Sequence, residues 1–185
     1  MKNLFFFLLI FVFFTNNSYS SIKENIIKNL KTIDNLSFNF KQTIDEKEEN
    51  GNCTIEYPKK IYCNYDLKFK KILVSNGKSL VIKSEKNNQY YIYPLTKTPF
   101  NLLLNKNYLL KNISSVDSEI IDNKYVRFQI NDNNYLINIF FDYKSYEIIG
   151  WQTEDIYKNL VVTFIYDLKK NIILDKKIFD LPKQN

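Results

Sequence analysis

Apolar and polar residues alternate with a period of two through GNCTIEYP and again through KIYCNY. Cys53, Ile55 and Tyr57 therefore share one strand face, as do Ile61, Cys63 and Tyr65. Pro58 interrupts the two runs, and a second alternating pair, ILVSN and SLVIKS, meets at Asn76-Gly77, which predicts a type I′ turn. Residues 51–80 thus read as consecutive antiparallel hairpins with one apolar face. That face is either ordinary core or the wall of an apolar cavity, and alternation alone does not choose between them.

The period lengthens in SIKENIIKNLKTID, where Ile22, Ile26, Ile27, Leu30 and Ile33 fall on one helical face and Ser21 and Glu24 have capping-box spacing. This predicts an amphipathic helix, broken at Asn35. Leu36, Phe38 and Phe40 then alternate in LSFNFKQT as a strand with an aromatic face, and residues 45–51, DEKEENG, read as an acidic solvated loop. NQYYIYP is a further strand. In TPFNLLL, Thr98 as N-cap and Pro99 in the first helical position predict a short helix over residues 99–104, carrying Phe100, Leu103 and Leu104. EIIDNKYVRFQIN, NYLINIFFD, YEIIGWQTED and LVVTFIYDL predict strands, with turns at Asp122-Asn123, at residues 132–134 and at Lys144-Ser145. The tail IFDLPKQN closes the domain. With no repeat or linker, the expectation is a single α+β domain, mostly β: many antiparallel strands and two apolar-faced helices.

The first twenty residues stand apart. Lys2 precedes an unbroken apolar run from Leu4 to Phe14, followed by Ser18-Tyr19-Ser20. These are the parts of a secretory signal, and the run is short of the roughly 18 residues of a spanning helix. The expectation is cleavage after Ser20, export, and a single domain over residues 21–185. No cysteine lies near that site to carry a lipid.

Charge and chemistry narrow the reading. Loss of Lys2 with the signal lowers the formal net charge from +6 to +5, and Arg127 is the sole arginine. Nucleic-acid readers rely on arginine's planar fork, so no nucleic-acid partner is expected, and the scattered lysines read as a solvated surface. The absence of histidine removes Ser-His and Cys-His nucleophile pairs and His metal sites. The only glycines, Gly51, Gly77 and Gly150, form no phosphate-cradling loop. Carboxylates such as Glu56 and Asp142 fall on loops or polar strand faces, so neither an enzyme, a metal nor a cofactor is expected. Cys53 and Cys63 lie symmetrically about Pro58, where directly opposed Cα atoms come within disulfide range. A disulfide and two buried thiols are both compatible with that spacing.

The order of features over nearly the whole exported chain resembles the LolA family of periplasmic outer-membrane lipoprotein carriers. The resemblance rests on a helix, a strand ending Phe40-Lys41-Gln42, the segment from Gly51 to Pro58, ILVSNGKSL, and TPFNLLL. It implies an incomplete, curved antiparallel β-barrel with a helical lid over a hydrophobic cavity. By the same resemblance Phe38, Phe40, Ile55, Tyr57, Ile61, Cys63 and Tyr65 form the cavity wall, and Ile26, Leu30, Phe100, Leu103 and Leu104 belong to the lid. The implied partners are acylated lipoproteins, an inner-membrane lipoprotein-releasing ABC transporter and an outer-membrane lipoprotein receptor, served by a monomer. The alternative is an amphiphile-binding or sensory module of the same fold that does not shuttle. One departure stands out: where the family has a lid-latching arginine just before the proline, this chain has Tyr57, which lacks the charge and the fork.

Overall fold

Alternation along the strands produces one continuous antiparallel sheet in a computed structural model that describes residues 21–184, apart from 67, 69, 87, 133, 134 and 156. The predicted signal segment lies outside the described residues, as do two of the three positions of the turn expected at 132–134. The chain opens with α1 (Ile22–Lys31), followed by β1 (Asn35–Ile44), β2 (Lys47–Glu56), β3 (Lys60–Tyr65), β4 (Lys71–Asn76), β5 (Ser79–Ser84) and β6 (Gln89–Pro94). Two helices intervene, α2 (Phe100–Leu103) and α3 (Lys106–Ser115), before β7 (Ser118–Ile121), β8 (Tyr125–Asp132), β9 (Tyr135–Asp142), β10 (Ile148–Glu154) and β11 (Leu160–Lys170). The strand order is β6-β5-β4-β3-β2-β1-β11-β10-β9-β8-β7. With β6 and β7 left as edges, the sheet is an unclosed, curved barrel whose inner residues meet the helices.

Inward residues alternate as the sequence predicts. Leu36, Phe38 and Phe40 of β1 are buried with Cys53 and Ile55 of β2 and Ile61, Cys63 and Tyr65 of β3. The register sets Ile55 against Ile61 and Cys53 against Cys63, and the two sulfurs are joined as a disulfide with Cα atoms 4.1 Å apart. At the amino end Ser21 Oγ accepts from the Glu24 N–H and the Glu24 carboxylate accepts from the Ser21 N–H, closing the capping box. Ile26 and Leu30 are buried where α1 packs against α3.

Four local expectations need correction. Residues 45–51 are not a loop: β2 begins at Lys47, and only Asp45 and Glu46 turn, both with positive φ. Backbone pairing of Thr43 with Glu48 and Ile44 with Lys47 continues the ladder past the apolar stretch, because a solvated strand pair needs no buried face to satisfy its hydrogen bonds. Helix α1 ends at Lys31 with Thr32 as C-cap, so Ile33 is buried beyond it rather than on it. At Asn76-Gly77, residues 77 and 78 are the turn's centre and only Gly77 has positive φ, the type II′ rather than the I′ pattern; Asn76 Oδ1 accepts from the Lys78 and Ser79 N–H groups. Finally, α3 is a third helix where none is expected. Asn105 Oδ1 caps it by accepting from the Tyr108 N–H, and Leu109 and Ile113 are its buried residues, but asparagines and β-branched residues dilute its helical signal.

Candidate functional site

The segment linking β6 to α3 crosses the concave side of the sheet. Thr98 does not cap α2: its hydroxyl donates to the Leu95 carbonyl (2.9 Å) within the preceding turn, and Pro99 begins the helix without a side-chain cap. The helix is a single turn, Phe100–Leu103, with Leu102 and Leu103 buried and Phe100 half-buried. Its attachments are polar and come from several sides. The Lys59 N–H, just after Pro58, donates to the Leu104 carbonyl (2.8 Å). Lys106 Nζ donates to the Ile33 carbonyl at the end of α1 (2.7 Å), and the Tyr135 hydroxyl donates to the Lys97 carbonyl (2.7 Å). Tyr57, the residue in the place of the family's arginine, makes no side-chain hydrogen bond among the described residues. Its ring packs by Phe100, Leu103 and Leu104, with Lys106 Nζ 5.9 Å from the ring centre. Burial pushes the Tyr57 hydroxyl pKa well up.

Two apolar compartments lie beneath this segment. The inner one is a void of about 10 Å³ between Leu36, Phe38, Ile55, Tyr57 and Ile61 on the sheet and Phe100, Leu103 and Leu104 above, with Leu109, Ile148, Trp151 and Ile165 completing it. It is close to the smallest space that admits a single water. The outer one is a cavity of about 310 Å³ between the inner faces of β4 to β6 and those of β10 and β11. Leu73, Leu80, Ile82, Tyr91, Tyr93, Trp151 and Val161 are among its apolar and aromatic lining, with Phe100 above. Phe100 and Trp151 border both compartments.

The sequence-predicted residues divide between these places. Phe38, Ile55, Tyr57 and Ile61 face the inner void together with Leu103 and Leu104, where they pack as core. Of the expected wall residues only Tyr65 lines the larger cavity; Phe40 packs edge-on against Tyr65, ring centres 5.0 Å apart, and Cys63 is held in the disulfide. Ile26 and Leu30 line neither compartment. Sequence reasoning missed Leu73, Leu80, Ile82, Tyr91, Tyr93 and Trp151. The available signal was two tyrosines two apart in an uncharged strand and the sole tryptophan.

One end of the larger cavity is polar. Lys71 pairs with Glu49 and its ammonium stands 3.9 Å from the centre of the Tyr65 ring, a cation–π contact. Burial, then the Glu49 charge, raises the Tyr65 hydroxyl pKa. At the mouth, Tyr91 and Tyr93 stack with ring centres 6.4 Å apart, and desolvation, then Tyr157 and Tyr91, raise the Tyr93 pKa. The two carboxylates considered for chemistry are engaged locally. Glu56 pairs with Lys60 and Lys176, and Asp142 accepts from the N–H groups of Ser145 and Lys144, the former chiefly lowering its pKa.

Because the Tyr57 hydroxyl makes no hydrogen bond among the described residues, Tyr57→Phe is expected to change stability by less than about 0.5 kcal/mol. Lys106→Met removes the bond to the Ile33 carbonyl and is expected to cost about 1 kcal/mol. Urea midpoints of the two variants check this; a larger loss for Tyr57→Phe would assign the tyrosine hydroxyl a pinning role.

The family model described as outer membrane lipoprotein carrier protein LolA matches residues 31–182. No curated protein matches the sequence. Among solved structures, an uncharacterized conserved protein from Thermus thermophilus is similar at 9% identity and a TM-score of 0.51, covering 88% of this chain and 93% of that one. A LolA superfamily protein from Nitrosomonas europaea is similar at 11% identity and a TM-score of 0.45, covering 85% and 96%. A DUF1329 family protein from Desulfovibrio piger is similar at 8% identity and a TM-score of 0.46, covering 86% and 96%. At these identities the likeness is one of fold.

Proposed function

The chain belongs to the LolA family, and from that premise we propose that it is a periplasmic carrier that shelters lipoprotein acyl chains and moves lipoproteins from the inner to the outer membrane. The observation that carries this reading is a largely apolar cavity of about 310 Å³ that shares Phe100 and Trp151 as lining with a second apolar compartment, with Phe100 on a one-turn helix. Each sheltered methylene is worth about 0.8 kcal/mol, so no catalytic group is needed for retention. The cavity as it stands holds about ten water volumes, enough for part of one chain. Taking up two or three chains requires Phe100, Leu103 and Leu104 to lift, which exposes Phe38, Ile55, Tyr57 and Ile61 as additional wall. Filling then offsets the cost of opening, and release follows from reclosure. Its partners on this reading are acylated lipoproteins, an inner-membrane ABC transporter and an outer-membrane receptor.

The size of the cavity also supports a second reading, a binding or sensory module for a single-chain amphiphile that never shuttles. Inner-membrane vesicles bearing the transporter and a triacylated lipoprotein separate the two. The carrier is expected to bring the lipoprotein into the supernatant as a one-to-one complex. Binding of a free acyl probe with no lipoprotein released would support the module instead.

A further inference from the structure

The two edges of the sheet are built differently. β7 is four residues long, and its Glu119 pairs with Arg127 on β8. β6 is six residues, QYYIYP, without a charged side chain and with an unbroken register against β5. Ile92 is 56% and Tyr91 41% exposed. Soluble proteins ordinarily guard such an edge with charge, a bulge or extreme shortness; β6 has only the terminal Pro94.

Its outward hydrogen-bonding groups can be assigned. The Leu95 N–H donates to the Lys78 carbonyl (2.9 Å), one step beyond the Ser79–Pro94 pair. Hydrogen-bonded pairs alternate along an antiparallel ladder, so Tyr91 and Tyr93 turn their backbone groups toward β5, while Tyr90 and Ile92 turn theirs outward. The carboxy-terminal stretch reaches β6 through a side chain: the Tyr90 hydroxyl donates to the Pro182 carbonyl. On the concave side, Tyr91 and Tyr93 line the large cavity, so the open edge and the cavity mouth share one strand.

We propose that the β6 edge receives, as a twelfth strand, the extended polypeptide that immediately follows the acylated residue of a lipoprotein whose acyl group occupies the cavity. This rests on the carrier reading above. A lipid-bearing terminus that enters the cavity beside Tyr91 brings its next residues alongside Tyr90 and Ile92, and at about 3.3 Å per residue some three residues cover them. Main-chain pairing reads no side chains, so it holds the start of a mature lipoprotein whatever its sequence. It also steers the polypeptide away from the helical cover.

Binding to the full exported chain is measured for four probes: a fluorescent fatty acid, a lipopeptide with the same acyl chain and a neutral six-residue peptide, and that lipopeptide N-methylated at alternate residues in each of the two possible phases. The lipopeptide is expected to bind about tenfold tighter than the fatty acid, and one N-methylated phase to lose that gain. Ile92→Pro, which removes an outward N–H and leaves the β5 ladder intact, is expected to abolish the gain while fatty-acid affinity is unchanged. Because the N-methylated probes act on the unaltered protein, misfolding of that variant does not decide the outcome. Equal affinity for plain and both N-methylated phases, with the fatty acid bound, overturns the strand pairing alone. Self-association through this edge, seen as a dimer in solution that Ile92→Pro dissociates, also overturns it. Failure of all four probes to bind overturns the carrier reading as well.

Discussion

Phe100→Asp is expected to weaken binding of a fluorescent fatty-acyl probe by about two orders of magnitude without unfolding the chain. Phe100 borders both the cavity of about 310 Å³ and the void of about 10 Å³, so its side chain is wall to any chain occupying either. An aspartate there places a carboxylate against the acyl chain, where its loss of hydration costs several kcal/mol, and about 1.4 kcal/mol is a factor of ten in affinity. The free protein tolerates the change because Phe100 is half-buried and the new carboxylate can turn toward solvent while the cavity is empty. Phe100→Ala provides the contrasting outcome. It removes a side chain that borders both compartments and retains apolar lining, so binding persists and shifts toward longer chains, with a stability cost of about 2 kcal/mol. Titrating both variants with probes of increasing length distinguishes loss of wall from loss of fold. Wild-type affinity in the aspartate variant, with wild-type circular dichroism, would remove this cavity as the acyl site.

The hairpin around Pro58 was legible because pairing and burial there obey one pattern. Alternation puts Cys53, Ile55, Ile61 and Cys63 on one face, and symmetry about Pro58 sets them opposite each other, the register the structure has. The polar start of β2 was not legible for the converse reason: Glu48 and Glu49 are held by backbone pairing with β1, which leaves no hydrophobic trace. The chain likewise announces an inward face on β4 to β6 and on β10 and β11 without saying what that face meets. Leu73 and Val161 alternate inward like Ile55 and Ile61, yet the first two border the cavity of about 310 Å³ and the last two a void of about 10 Å³. The difference arises from where the short helix α2 ends across a curved sheet, a property of three-dimensional placement rather than of period. Tyr57 illustrates the same limit. Its position before Pro58 identifies it with a latch, whereas the observed restraint comes from the backbone of Lys59 and the side chain of Lys106, neither of which has a distinguishing pattern.

Gly51→Ala is expected to cost about 3 kcal/mol, a large share of the roughly 5–15 kcal/mol that holds a domain folded. Gly51 sits within β2, opposite Phe40 on β1 and Tyr65 on β3. A methyl group placed there would lie 2.3 Å from the Asn64 carbonyl oxygen and 2.9 Å from the Tyr65 Cα, both backbone atoms of the adjoining strand, and 2.9 Å from the Phe40 ring. The ring can turn, but the strand cannot, so β2 and β3 must part locally and strain or lose a ladder hydrogen bond. The reduced freedom of alanine in the unfolded chain offsets only about 0.4–1 kcal/mol of this. Gly77→Ala calibrates the measurement. Its φ of +95° penalises any side chain, but nothing lies closer to the added methyl than Lys59 Cβ at 3.8 Å, so about 1 kcal/mol is expected from backbone strain alone. Urea midpoints at unchanged m-value give both costs, and equal losses would mean that the strands accommodate the Gly51 methyl without parting. The same change reaches the cavity. Tyr65 lines it and carries the Lys71 ammonium over its ring, so displacing β3 at Tyr65 moves the cavity's polar end, and acyl-probe affinity is expected to fall for Gly51→Ala but not for Gly77→Ala.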